Sequence, residues 1–406
     1  MNYILFDDSA RGNLLPLTFT RPVADIRVGI LTIREKWEIM LGEKTSTLTE
    51  PYLSNKFPII KAENNILING SISPTEDLVK KIKSLKNDQW LFQDEVLIAY
   101  SVSVESLDDM GASDEFDEES DSFASEEIIA YEEPFNKLNY TWDVFTNNEV
   151  EIKADFELLT KSRKSQTLSE SNKLIGDKSM LFIEEGAVVE GAIINVKEGP
   201  VYIGKNAEVM EGALIRGSFA LCEGAQVKMG AKIYGGTTVG PHSRAGGELN
   251  NVVIIGYSNK AHDGYFGNSV IGEWCNIGAD TNTSNLKNTY DEIRLWNYPQ
   301  QTFIGTGLTF CGVIMGDHVK CGINTMFNTG SVIGVCANVF GSGYQRNFVA
   351  SYSWGSTVNM STYSVNKAID VAKRVWERRN IEFTKEDGKI LKSIFETTSN
   401  NRKFRF

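Results

Sequence analysis

Between Val201 and Gly246 one apolar position returns every six residues, at Ile203, Val209, Ile215, Leu221, Val227, Ile233, Val239 and Ala245. A helix repeats at about 3.6 residues and a half-buried strand at 2, so a sustained period of six fits neither alone. It predicts a parallel β-helix. Each six-residue unit is then a short strand plus a turn, three units close one coil, and the apolar residue points into a narrow stacked core. The phase breaks after Ala245, returns at Ile271 and Ile277, and returns again at Met315, Cys321, Phe327, Ile333 and Val339. The two interruptions, roughly 246–270 and 280–303, are expected to be loops pushed out of one face, where solenoids carry binding chemistry.

The rest of the chain follows shorter periods. Asn2–Phe6 reads as a buried strand, and Ile30, Leu31, Ile33 and Trp37 suit an amphipathic helix. Asn65–Asn69 reads as a second strand. Ser73-Pro74-Thr75-Glu76 then predicts a helix start with Ser73 as cap, followed by Leu78, Val79, Ile82 and Leu85 at helical spacing. Trp90–Tyr100 reads as one strand, and the end of Tyr140–Leu159 as helix. Alternating strands and helices predict a mainly parallel α/β domain over residues 1–165. A Ser/Lys-rich linker at 161–173 leads to the solenoid, 174–343. Residues 344–406 form a helical extension in which Val365, Ile369, Ala372 and Trp376 share one face and a second helix starts at Thr384 with Asp387 three residues on. Two such helices are expected to cap the solenoid's last coil.

Composition narrows the function classes. The chain has 406 residues, room for two domains and an appendage, and no apolar run of the ~18 residues that span a bilayer. Its first residues lack the basic and apolar pattern of a secretory leader. Five cysteines with no CxxC pair suggest reduced, packed thiols in a cytoplasmic protein rather than disulfides or zinc. The net charge of −12 argues against nucleic acid. Thirteen Asp and Glu with no Lys or Arg lie between Glu105 and Glu133, so the remainder stands at +1, and that stretch is expected to be a solvated acidic loop.

Candidate chemistry clusters in the first interruption, which carries His262. The run Asn259-Lys260-Ala-His262-Asp-Gly-Tyr265-Phe-Gly267-Asn-Ser-Val-Ile271-Gly-Glu-Trp-Cys-Asn276-Ile-Gly278-Ala279-Asp-Thr281-Asn-Thr-Ser-Asn285 resembles the H-x-x-Y-x-G-D-x-x-I-G-x-x-x-N-x-G-A-G-T-x-x-x-N segment of GlmU-type bifunctional sugar-1-phosphate enzymes. In that family a nucleotidyltransferase domain precedes a left-handed β-helix acetyltransferase. The resemblance covers roughly 249–343, with Asn268 and Asp280 departing from the family pattern. It implies His262 as general base, Tyr265 and Asn276 as ligands of an amino-sugar phosphate, Asn285 reaching the sugar or the coenzyme, and the Ala279 backbone facing acetyl-CoA. A glucosamine amine is largely protonated at neutral pH, and an imidazole titrates close enough to neutrality to take its proton. Lys260 and Arg244 are candidate phosphate-binding cations.

Leu14-Leu-Pro-Leu-Thr-Phe-Thr-Arg21-Pro-Val23 is similar to the L-x-P-L-T-x-x-x-P-K segment of sugar nucleotidyltransferases, with Val23 in the lysine position. Ile68-Asn69-Gly70-Ser71 stands where that family has N-G-D, with Ser71 in the metal-binding position. The resemblance, closest to a divergent Bacteroidetes-type subfamily, points to Arg11, Arg21, Arg27 and Gly70 for the nucleotide and Asp7 or Asp8 for Mg²⁺. The bland alternative pairs those arginines with Asp7, Asp8 and Asp25. The function implied is acetyl transfer from acetyl-CoA to glucosamine 1-phosphate, then uridylyl transfer from UTP, by a homotrimer. Two other readings stay open: an acetyltransferase with a nucleotide-sensing front domain, and a non-enzymatic regulatory binding protein.

Overall fold

The computed structural model describes residues 1–104, 107 and 127–404. The chain divides into two units. The first comprises 1–14, 21–26 and 31–139; the second comprises 15–20, 27–30 and 140–406.

The first unit is a six-stranded mixed sheet. Its strands are β1 (Asn2–Phe6), β2 (Thr45–Leu48), β3 (Asn64–Asn69), β4 (Gln89–Gln93), β5 (Val96–Ser103) and β6 (Glu127–Ala130), in the order β2-β1-β3-β5-β4-β6. β1 runs parallel to both β2 and β3, while β5 runs antiparallel to β3 and β4. The single strand expected over Trp90–Tyr100 is therefore a hairpin. Asp94 takes a left-handed conformation (φ 50°) at its turn, and polar turn residues do this at low cost. The apolar run hid the reversal, because both arms bury Trp90, Leu91, Ala99 and Tyr100. Most of the acidic stretch, 105–106 and 108–126, lies outside the described residues. Glu127–Ala130, expected as loop, is an edge strand parallel to β4, and its Glu127 accepts a hydrogen bond from Gln89 Nε2 at 2.8 Å.

Helix α1 (Ile33–Leu41) starts in a capping box, Thr32 with Glu35, and stops at Gly42 in the left-handed region. Its Trp37 is fully buried and donates Nε1–H to the Ile72 carbonyl at 2.8 Å. Helix α2 (Glu76–Lys83) is capped by Thr75, whose Oγ1 accepts from Leu78 N at 3.1 Å. The cap is thus Thr75 rather than Ser73, and the helix begins two residues later than the sequence pattern places it.

The second unit is a parallel β-solenoid of about ten turns. All fifteen positions of the six-residue phase, from Ile203 to Val339, are buried in one continuous core. The interruption at 246–270 is not an extruded loop. Glu248–Ile254 and Tyr265–Ile271 are seven-residue strands paired in register inside the stack. What changes is the length of a coil. Gln226 pairs with Arg244, eighteen residues on, but Arg244 pairs with Asn259 after fifteen and Asn259 with Asn276 after seventeen. Two short strands have fused around a corner, and the missing residues shift the apolar phase. The second interruption is a true insertion. Asn276 pairs with Lys320, forty-four residues on, and the excess contains the antiparallel hairpin Arg294–Asn297 with Thr302–Gly305.

Successive coils approach closely enough to restrict side-chain size. A Cβ on Gly240 would lie 2.0 Å from the Ile255 carbonyl oxygen of the next coil. Gly240→Ala is expected to force the coils apart and cost about 1–3 kcal/mol, read as a lower urea midpoint; an unchanged midpoint would contradict this packing.

The division between units differs from the boundary expected near residue 165. Asp143–Thr146 and Asn148–Thr160 are helices of the solenoid unit. Asn148 Nδ2 donates to the Gly236 carbonyl at 2.7 Å, its Oδ1 accepts from Gly29 N at 2.7 Å, and Asp155 Oδ2 accepts from Ile30 N at 2.7 Å. Residues 15–20 also belong to this unit, with Thr20 Oγ1 donating to Asp317 Oδ2 at 2.7 Å. Buried backbone groups need partners, and here distant parts of the chain supply them.

The carboxyl-terminal helices Val365–Glu377 and Lys385–Thr397 form where the spacing placed them, the second with the Thr384–Asp387 capping box. They lie along the solenoid's flank: Trp376 stacks on Trp274 at 4.7 Å, and Tyr352 donates to the Leu391 carbonyl at 2.6 Å. The sheet edge itself is closed by Asn359–Thr362, antiparallel to Ser353–Ser356, so a strand does the edge protection expected of the helices. All five cysteines are free and buried. Burial pushes the thiols of Cys275, Cys311 and Cys336 up to about 12, far from reactive thiolates. No helix among the described residues is long and apolar enough to cross a membrane.

Candidate functional site

In the first unit, the carboxyl ends of β1, β2 and β3 open on one edge, the place where α/β sheets bind ligands. β1 leads into Asp7 and Asp8, β2 into Thr49 and Glu50, and β3 into Gly70 and Ser71. Asp7 accepts from Val23 N at 2.7 Å and Thr49 Oγ1 at 2.5 Å, and pairs with Arg11 Nε at 3.3 Å. Burial still pushes its carboxyl up to about 6, against the Arg11 charge and both hydrogen bonds. Asp8 Oδ1 accepts from Ala10 N at 3.2 Å, and its Oδ2 meets Lys137 Nζ at 3.0 Å, Asn69 Nδ2 at 3.0 Å and Ser71 Oγ at 3.4 Å. Arg11 extends from Asp7 to Glu50 Oε1 at 3.1 Å and Tyr52 Oη at 2.9 Å.

Gly70 donates its N–H to the Phe6 carbonyl at 2.8 Å, and a Cβ there would lie 3.0 Å from that oxygen. This close approach explains a glycine independently of any nucleotide. Arg21 is buried in the same unit. Arg27 is elsewhere: it belongs to the solenoid unit and donates to the carbonyls of Ile255, at 3.2 Å, and Ile30. Its expected nucleotide role does not survive, because its guanidinium is spent on buried backbone oxygens. Asp25 pairs with Arg34 at 2.5 Å. Among the described residues no group of three or more His, Cys, Asp or Glu is placed to hold a metal, so Asp7 or Asp8 would hold Mg²⁺ only together with phosphate oxygens of a bound nucleotide.

Lys137 escaped the sequence reading. No motif surrounds it, and it reaches Asp8 because its strand-like segment docks beside 71–73, with Leu138 N donating to the Ser71 carbonyl and Ser73 N to the Asn136 carbonyl, both at 2.9 Å. It is a cation delivered to the strand ends where Val23 supplies none.

In the solenoid unit His262 is exposed on the turn between Asn259–Lys260 and Tyr265–Ile271, strands of two different sheets. Tyr265 and Asn285 come together. The Tyr265 hydroxyl hydrogen-bonds with the side chains of Asn285 and Asn250, and burial followed by the Glu248 charge raises its pKa. Asn285 Nδ2 donates to Asn268 Oδ1 at 2.8 Å, so the residue departing from the family's Asp holds this pair in place. A Cβ on Gly267 would lie 2.4 Å from the Tyr265 hydroxyl, which accounts for the glycine of the Tyr-x-Gly step.

The remaining candidates lie apart. Arg244 and Asn276 sit on the other sheet, in a ladder with Gln226 and Asn259. The Ala279 carbonyl accepts from Asn324 N at 2.9 Å in a turn. Lys260 is no surface cation. Only 2% exposed and in register with inward Ala245, it donates to the carbonyls of Gly246 at 2.9 Å and His262 at 2.6 Å, with Nζ 5.5 Å from the Phe266 ring centre. Burial lowers its pKa to about 8, opposed by Asp263 and Asp280. Between pH 8 and the unfolded value near 10.5 the unfolded chain binds the extra proton, so this group adds stability as pH rises through that window and burdens the fold below it. Denaturant melts of the native chain and Lys260→Met should therefore diverge from pH 8 to 10 by up to about 3 kcal/mol. Parallel pH profiles would show that the ammonium is not held as described.

Comparison with known proteins adds the following. Residues 3–164 match the family described as sugar nucleotidyl transferase. An 87-residue stretch is 34% identical to the bifunctional protein GlmU of Methanocaldococcus jannaschii, 21% of each chain. A 149-residue stretch is 30% identical to a bifunctional sugar-1-phosphate nucleotidylyltransferase/acetyltransferase of Sulfurisphaera tokodaii, 36% of this chain and 37% of that one. The chain thus spans about a fifth to over a third of the curated relatives it matches. Among solved structures, an N-acyltransferase from Bacillus cereus, AntD in its S84T form with dTDP and coenzyme A, is 14% identical, with TM-score 0.24 over 53% of this chain and 100% of that one.

Proposed function

We propose that the chain is a two-part transferase of amino-sugar nucleotide synthesis. The first unit joins a sugar 1-phosphate to a nucleoside triphosphate: a phosphate oxygen of the sugar attacks the α-phosphorus and pyrophosphate leaves. The solenoid transfers an acetyl group from acetyl-CoA to the amine of glucosamine 1-phosphate. His262 takes the amine proton as nitrogen attacks the thioester carbonyl, and the CoA thiolate departs and is protonated. Tyr265 and Asn285 orient the sugar, and a neighbouring copy in a cytoplasmic homotrimer completes the cleft. UTP and N-acetylglucosamine 1-phosphate are the expected partners of the first reaction. Mg²⁺ enters with the triphosphate, and no step here depends on a protein-held metal.

What carries the reading is that the sugar nucleotidyl transferase match, residues 3–164, includes the strand ends where Arg11 pairs with Asp7 and Lys137 with Asp8. A phosphate entering there would meet two cations, Arg11 and Lys137, of the kind a transferring phosphoryl group needs. The archaeal relatives' bifunctional names support coupling it to acyl transfer. Two assays on the purified chain test the reading: pyrophosphate release from UTP and N-acetylglucosamine 1-phosphate, and CoA-thiol release from acetyl-CoA and glucosamine 1-phosphate. Both activities are expected. Thiol release alone would leave a front unit that only binds nucleotide, a reading favoured by Val23 and Ser71; neither activity would refute the proposal.

A further inference from the structure

The solenoid's second sheet carries an arrangement the transfer chemistry leaves unused. Arg244, on one coil, donates Nε–H to Gln226 Oε1 at 3.0 Å and Nη1–H to Asn259 Oδ1 at 3.2 Å. Arg379, just past the helix Val365–Glu377, donates Nη2–H to the same Asn259 Oδ1 at 3.4 Å. Two guanidiniums from distant parts of the sequence thus share one neutral oxygen. Neither forms an ion pair with a carboxylate among the described residues. Both are partly buried, and Arg378 adds a third positive charge beside them. Burial, then Arg244, then Arg378 pull the Arg379 pKa down, so the fold holds these charges together against their repulsion. Asn276, one rung beyond Asn259, is exposed at the same edge.

Glu208, on the same ladder, accepts from Gln226 Nε2 at 2.9 Å and not from an arginine, so no carboxylate pairs directly with either guanidinium. Guanidiniums present planar forks that match phosphate oxygens and gain most where the anion is a dianion. We infer that Arg244 and Arg379 together bind the phosphate monoester of a small ligand. Either of the two substrates proposed above for acetyl transfer brings such a group, the 3′-phosphate of coenzyme A or the phosphate of glucosamine 1-phosphate, and the inference rests on that reading only for the ligand's identity. The site is distinct from the Tyr265–Asn285 pair, which lies on the other sheet. Beside it, Tyr257, Trp274 and Trp376 stack with ring centres 4.4 and 4.7 Å apart, so tryptophan fluorescence reports occupancy directly.

The test uses the full chain, with R244Q, R379Q and R379K checked for native thermal melts. Inorganic phosphate is titrated first, by fluorescence and calorimetry. Native protein is expected to bind it at one site per chain, with affinity falling about tenfold or more in either glutamine variant, as loss of a charge-assisted bond predicts, and recovering in part in R379K. Two paired titrations then identify the source. If the monoester is that of coenzyme A, native protein prefers coenzyme A to dephospho-coenzyme A and R379Q abolishes the preference. If it is that of the sugar, the same pattern appears between glucosamine 1-phosphate and glucosamine. Equal binding of phosphate and of all four ligands by native protein and both glutamine variants overturns the inference. Phosphate binding that depends on both arginines, in a chain with no acetyl transfer, would leave the site standing and refute the proposed function instead.

Discussion

His262→Ala is expected to lower acetyl transfer to glucosamine 1-phosphate by about 10²–10⁴-fold and to leave uridylyl transfer, melting temperature and oligomeric state unchanged. The separation follows from where the ring stands. The side chain is exposed, and its imidazole makes no hydrogen bond to any described residue, so truncation opens no cavity and strands no buried donor. The structural contact of this residue is through its carbonyl, which accepts from Lys260 Nζ at 2.6 Å, and alanine keeps that carbonyl. A general base also leaves a signature in pH. The acid limb of kcat/KM for acetyl transfer should vanish in the variant, and a substrate analogue offering an amine of lower pKa should lose less rate than glucosamine 1-phosphate. Acetyl transfer within twofold of native, at any pH, would remove His262 from the mechanism.

The solenoid was legible from the chain because its core is one residue wide. Each coil must place an apolar side chain on the same axis, and from Ile203 to Val339 that demand is printed in the phase and met in the structure. What periodicity cannot carry is the reason for its own failure. The break after Ala245 reads the same whether a loop is extruded or a coil is shortened, and only the pairing of Arg244 with Asn259 after fifteen residues separates the two. In the same way an apolar run reads as one strand until Asp94 is seen to turn it back.

Charge was harder to place, because residue type says nothing about direction. Lys260 and Arg27 read as cations for phosphate, yet each turns its donors to carbonyls of the solenoid. Tyr265 and Asn285 were singled out by the resemblance of their run to a family motif, and that one local stretch happens to contain both partners of a contact between rungs. The Asp8–Lys137 pair joins residues 129 positions apart, and the Arg244–Asn259–Arg379 cluster spans a coil and a helix. No window of sequence contains either. The division into units has the same origin: residues 15–20 and 27–30 are read with the first domain, but their backbone and side-chain groups are paired within the second.

Lys137→Met is expected to reduce nucleotidyl transfer by about 10–100-fold, the size of one lost charge-assisted bond to phosphate, with acetyl transfer unchanged. The pair it forms with Asp8 is nearly enclosed, at 12% and 14% side-chain exposure. A bland role is therefore available, since removing Lys137 leaves a carboxylate short of its cation and lowers stability whatever the protein does. The double-mutant cycle with Asp8→Asn separates the two roles. If Lys137 serves only to neutralise Asp8, the carboxamide removes the need for it, and the double variant recovers the stability and the activity of Asp8→Asn alone. If Lys137 meets the substrate phosphate, arrival of that anion replaces Asp8 as its partner. The double variant then regains stability but not turnover, and Lys137→Arg retains more activity than Lys137→Met because the charge remains. Recovery of turnover in the double variant would return Lys137 to a structural part, and leave Arg11 as the placed cation at the strand ends where phosphoryl transfer is proposed.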